Sequence, residues 1–123
     1  MKRFATIAFL LLTAHVANAQ LSLPVDFEST TADYGLTDFG GTSSAIVEDP
    51  TNDSNKVVRT TKGAGAELWA GTTVGGVIGF GTKIPFTASQ TKMSVRVWSP
   101  DAGIAVRLKV EQAGIPTISV EPK

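Results

Sequence analysis

Met93-Ser94-Val95-Arg96-Val97-Trp98 and Ile104-Ala105-Val106-Arg107-Leu108-Lys109-Val110-Glu111 decide how this chain is read. In the first stretch Met93, Val95 and Val97 alternate with Ser94, Arg96 and Trp98. In the second, Ile104, Val106, Leu108 and Val110 alternate with Ala105, Arg107, Lys109 and Glu111. A period of two marks a half-buried strand, because successive side chains point to opposite faces. The linker Ser99-Pro100-Asp101-Ala102-Gly103 has Pro second and Gly last, which suits a hairpin loop. Apolar meets apolar across this hairpin only when paired residue numbers have an odd sum, as for Val97 with Ile104 or Val106. One face of the predicted hairpin is therefore core. The other presents Ser94, Arg96, Trp98, Arg107, Lys109 and Glu111.

Working outward, similar short runs recur between Gly, Pro, Asp and Asn, and no window carries capped helical periodicity. Pro24 to Glu28 alternates, with Val25 and Phe27 on one side. Ala45 to Glu48 and Val57 to Thr61 flank an Asp/Asn loop, Asp49 to Asn55. Glu67 to Ala70 is a further predicted strand, Gly71 to Gly81 a loop or irregular strand, Ile84-Pro85-Phe86 a short edge segment, and Thr117 to Val120 the last strand. Short strands with turn signals at this spacing predict an all-β antiparallel sandwich.

The amino terminus has the three parts of a secretory signal peptide. Lys2 and Arg3 precede an apolar run, Phe4 to Val16, and Ala17-Asn18-Ala19 is a small-x-small cleavage site before Gln20. The run is shorter than the roughly 20 residues that cross a bilayer. A signal-peptide helix over residues 1–19, an exported domain over residues 20–123 and no membrane span are the expectation. The site of action is then extracellular, periplasmic or at the cell surface.

Removing residues 1–19 takes Lys2 and Arg3 from a chain of eleven basic and eleven acidic residues, leaving it slightly acidic. That argues against nucleic acid, whose binders carry a basic patch or stripe. It also removes His15, the one histidine, from a chain without cysteine. A Cys/His protease, a Ser-His-Asp triad and a His or Cys zinc site are thereby excluded.

Several motifs together resemble the opening of a secreted bacterial jelly-roll module. They are Leu23-Pro24-Val25-Asp26-Phe27-Glu28, Asp33-Tyr34, Thr37-Asp38-Phe39-Gly40-Gly41, Ala64 to Thr72, Ile84-Pro85-Phe86, Thr91 to Pro100 and Leu108 to Glu111. The chain is similar to carbohydrate-binding modules of the galactose-binding-like sandwich fold. Such modules accompany polysaccharide-degrading enzymes such as family-16 glycoside hydrolases. The family continues through further strands, so the resemblance implies an incomplete, C-terminally truncated module, part of a larger multidomain protein in its complete form. It also implies a structural calcium.

Candidate site residues follow from chemistry. A sugar ring stacks its C–H face on an aromatic ring, and its hydroxyls take polar partners. Trp98 with Arg96, Arg107, Lys109 and Glu111 forms the polar hairpin face, and Trp69 alternates away from Leu68. The alternatives are a tryptophan packed in the core and a solvated face of cross-strand charge pairs. Tyr34 and Phe39 read as packing in a loop. Asp26, Glu28, Asp49 and Asp53, with Asn52 and Asn55, are hard oxygen donors of the kind calcium takes. The alternative is an Asx-turn loop, in which Asp and Asn bond their own backbone. Glu67, Asp101 and Glu111 have no spacing that identifies a glycosidase pair. Gly71 to Gly81 lacks the Lys-Ser/Thr of a phosphate loop. The expectation is a non-catalytic module binding an extracellular glycan. The competing expectation is a structural or adhesion module of a surface protein with no sugar site.

Overall fold

The computed structural model describes residues 20–121. The predicted signal peptide, residues 1–19, lies outside the described residues. The chain is all-β, with no helix among the described residues. Its strands are β1 (Thr37–Phe39), β2 (Thr42–Asp49), β3 (Asn52–Lys62), β4 (Gly71–Thr73), β5 (Val110–Gln112) and β6 (Ile115–Val120). They pair antiparallel as three two-stranded sheets, β1 with β4, β2 with β3, and β5 with β6.

The β2–β3 hairpin is the longest element, and its sequence explains it. β-Branched residues meet across the ladder, Ile46 opposite Val58 and Val47 opposite Val57, the pairing that fills a pleated surface best. Glu48 faces Lys56 one step further on. The predicted Asp/Asn loop is much shorter than expected, since β3 already starts at Asn52. The turn is held by Asp49. Its Oδ1 accepts the Thr51 N–H at 2.8 Å and the Thr51 hydroxyl at 2.7 Å, and its Oδ2 accepts the Asn55 amide at 2.9 Å. Those bonds replace the ladder where the register shifts after Glu48.

β1 and β4 form a short ribbon beside this hairpin, with Thr37, Asp38 and Phe39 opposite Thr73, Thr72 and Gly71. Side chains stitch the two sheets together. The Thr42 hydroxyl of β2 lies 2.6 Å from the Gly71 carbonyl and 3.0 Å from that of Phe39. The Thr60 and Thr72 hydroxyls meet at 3.1 Å.

The core is small. Tyr34, 8% exposed, is the buried hydrophobic residue among those described. Its ring packs on Phe27 at a centroid distance of 5.0 Å. Its hydroxyl accepts the Ser29 N–H at 2.9 Å, and its carbonyl accepts the Gly75 N–H at 2.8 Å. Phe27 adopts a φ of 61°, a left-handed conformation uncommon for a bulky residue. The predicted strand Pro24 to Glu28 is accordingly irregular.

The predicted hairpin of Met93 to Trp98 with Ile104 to Val110 does not form. No strand lies between Thr73 and Val110, and Met93, Val95, Val97, Trp98, Ile104 and Val106 are exposed. Ser99 closes a local turn instead, its hydroxyl donating to the Asp101 carbonyl at 2.9 Å. The end of the second stretch is recruited by a nearer partner. Val110 pairs with Val120 across the turn Ala113-Gly114, where Gly114 has a φ of 75°. Closing that shorter loop costs less chain entropy than closing Ser99 to Gly103. Two strands with no third to pack on are also marginal by themselves.

Candidate functional site

The segment Glu67 to Ala70, predicted as a strand, is a pair of tight turns. Ala66 N–H donates to Gly63 O and Ala70 N–H to Glu67 O, both at 3.0 Å, while Glu67 N–H reaches back to Gly40 O at 2.8 Å. The chain must reverse here so that β4 can enter antiparallel to β1. That reversal lifts Trp69 out of any sheet and lays its ring against Phe39. The two rings are nearly parallel, 9° apart, with centroids 6.2 Å from one another. Trp69 is 65% exposed and Phe39 40% exposed. Beside them Leu68 stands clear of the surface, and the Lys62 ammonium donates to the Leu68 carbonyl at 3.3 Å.

The pair is held firmly. Phe39 lies over Gly71, where a Cβ would come within 2.9 Å of the ring atom Cζ, and Trp69 lies over Gly40, where a Cβ would meet Cζ3 at 2.9 Å. Underneath, Asp38 ties three strands together. Its Oδ1 accepts the Thr72 hydroxyl at 2.7 Å and its Oδ2 the Ser44 N–H at 2.8 Å. Hydrogen bonds from Thr72 first, and from Ser44, hold the Asp38 carboxyl below its ordinary range. An aromatic pair that is fixed yet open offers a ring face to a partner at little ordering cost.

The expected site residues occupy separate places. Trp98 is 56% exposed on the segment without strand partners. Arg96 adds its charge to the environment of Asp49, whose carboxyl is held below its usual range mainly by the Thr51 hydrogen bonds and the Asn55 amide. Arg107 approaches Glu121 at 3.8 Å, and Lys109 pairs with Glu111 at 2.8 Å at the base of β5. The Glu111 hydrogen bond raises the Lys109 pKa. Arg107, Lys109 and Glu111 of the predicted polar face thus pair among themselves and with Glu121 rather than with Trp98. Of the expected group, Trp69 alone sits in a built arrangement. The sequence alone places its partner Phe39 in loop packing and marks Asp38 as no more than part of a motif. The available signal was the glycine beside each ring, Gly40 after Phe39 and Gly71 shortly after Trp69.

Three of the expected oxygen donors each accept a hydrogen bond from within the chain. Asp26 Oδ1 accepts the Glu28 N–H at 3.2 Å, Glu28 Oε1 accepts the Lys56 N–H at 2.7 Å, and Asp53 Oδ1 lies 3.5 Å from the Ser54 hydroxyl. Among the described residues no group of three or more His, Cys, Asp or Glu stands where it could hold a metal ion. A groove of about 660 Å³ runs between Tyr34 and the Ile46–Glu48 stretch of β2. Its one aromatic ring is buried, so it has no open face to stack on. No helix among the described residues is long and apolar enough to cross a membrane.

No protein-family model, curated protein or solved structure matches this chain.

Proposed function

We propose that this chain is a secreted, non-catalytic module of the galactose-binding-like sandwich type that binds a glycan outside the cell, with Trp69 as its stacking platform. One observation carries the reading: the exposed Trp69 ring, backed by Phe39 and seated on glycine. A pyranose presents a C–H face that such a ring binds, and Thr60, Thr72, Lys62 and Glu67 are polar groups within the same part of the fold. The competing adhesion reading needs no open tryptophan, whereas both tryptophans of this chain are open. Calcium has no part in this reading.

Affinity gel electrophoresis of the full chain against a panel of soluble polysaccharides tests it. Retardation by at least one polysaccharide is expected, with Trp69→Ala weakening it about tenfold, the scale of one stacked ring. Trp98→Ala should change it little. Free migration on every polysaccharide, or a Trp69→Ala variant retarded like the parent, would sink the reading.

A further inference from the structure

Both rings of the platform rest on positions that have no side chain, but the two glycines differ. Gly40 has a φ of 68°, so any L-residue there is strained by its backbone, and its Cβ would also meet Ala70 at 2.9 Å. Gly71 lies within β4 and is not among the residues of positive φ. Its backbone is one any residue adopts. The nearest obstacle to a Cβ at Gly71 is the Phe39 ring, with Cζ, Cε2 and Cε1 at 2.9, 3.4 and 3.6 Å. In a strand Gly weakens the element, through chain entropy and a missing side chain. The local cost therefore has a counterpart in where the Phe39 ring lies.

We infer that Gly71 is a positioning residue for Trp69: its bare Cα seats the Phe39 ring, and the Phe39 ring sets the plane of Trp69. The inference rests on the reading of Trp69 as a ligand platform but makes a separate claim about how that ring is held. A methyl group at position 71 pushes Phe39 outward, and the parallel arrangement at 6.2 Å is lost with it. Gly71 touches no ligand. It acts through Phe39.

The full chain carrying Trp98→Phe leaves Trp69 as the single tryptophan, since the sequence has two. Acrylamide quenching of Trp69 then reports the stack without any ligand, and polysaccharide retardation reports the site. Gly71→Ala is expected to raise quenching and weaken retardation about tenfold, a coupling typical of residues in contact. After Phe39→Ala, adding Gly71→Ala should alter neither by more than about twofold, because the ring it would strike is gone. Equal effects of Gly71→Ala in both backgrounds would assign the residue a backbone role and overturn the inference. So would an unchanged Trp69 signal when Phe39 is present. Coupling in the quenching data without retardation by any polysaccharide would uphold the positioning role and end the glycan reading. Unchanged hydrogen exchange in β2–β3 verifies that each variant is folded.

Discussion

At the scale of single residues, two aspartates tie this surface together. Asp38 joins β1, β2 and β4 through Thr72 and Ser44, and Asp49 shapes the β2–β3 turn through Thr51 and Asn55. Both carboxyls are held below the ordinary value of 3.8 in the folded chain. The contribution of each is therefore complete above that value and is lost as pH falls through the depressed folded value. The near-UV circular dichroism of Trp69 in the Trp98→Phe chain should fade below about pH 4, the ordinary carboxylate range. Asp38→Asn should show a weaker signal at neutral pH and a smaller change on acidification. A Trp69 signal constant down to pH 2 would show that Asp38 does not support the platform. The Asp38 role was not legible in the sequence, and the Asx-turn at Asp49 was legible only as the alternative to a calcium ligand. A carboxylate that serves an Asx-turn and one that serves a ligand are the same letter, and only the placement of Thr51, Asn55, Thr72 and Ser44 distinguishes them.

At the scale of elements, the three sheets differ in support. β2–β3 has the longest ladder and β-branched cross-strand pairs. β1–β4 is short but tied to it by Thr42, Thr60 and Asp38. β5–β6 contacts no other strand among the described residues. An isolated two-stranded ribbon is marginal in water. Amide hydrogen exchange should accordingly be slowest in β2–β3, intermediate in β1–β4 and near the free-peptide rate in β5–β6. Strong protection of Glu111 and Ser119 would contradict this order. Asp49→Ala should lower β2–β3 protection, most at the turn end of the hairpin, where Asp49 accepts from Thr51 and Asn55. Ala45 to Glu48 and Val57 to Thr61 were legible as strands because their β-branched runs lie close in sequence. Thr117 to Val120 was legible for the same reason. Met93 to Val97 has as clean an alternation as any segment, yet forms no ladder. Alternation states which residues could share a face, but pairing requires a partner strand and a surface to pack on. Glu67 to Ala70 misled in the opposite way: Gly63 and Gly65 before it and Gly71 after it outweigh the strand preference of Trp69.

At the scale of the whole molecule, apolar surface is distributed unusually. Tyr34 is buried, while Leu68, Val77, Ile78, Val95, Val97, Ile104, Val106, Ile118 and Val120 are all more than half exposed. Burying apolar area is the main favourable term in folding, about 25 cal/mol per Å². A chain that leaves so much of it in water has little to set against chain entropy. The full chain should therefore unfold broadly, with a midpoint below about 60 °C, and should bind the dye ANS at neutral pH. A sharp transition above that temperature without dye binding would show that these side chains are covered in solution. The all-β class was legible from the short runs and their turns. The size of the core was not, because alternation marks each face that could be buried and leaves open how many are.

The Phe39–Gly71 pair also has a consequence for how the chain finds its fold. β1 and β4 are each three residues long, and β4 is Gly-Thr-Thr, too short and too polar for burial to fix which residue faces which. A slip of one residue would set Phe39 against Ala70 or Thr72, where a Cβ stands in the way of its ring. One register alone puts the ring over a bare Cα. The aromatic side chain thus reads the glycine as a key reads a notch, and the ribbon has a single alignment that its few backbone hydrogen bonds could not have specified by themselves.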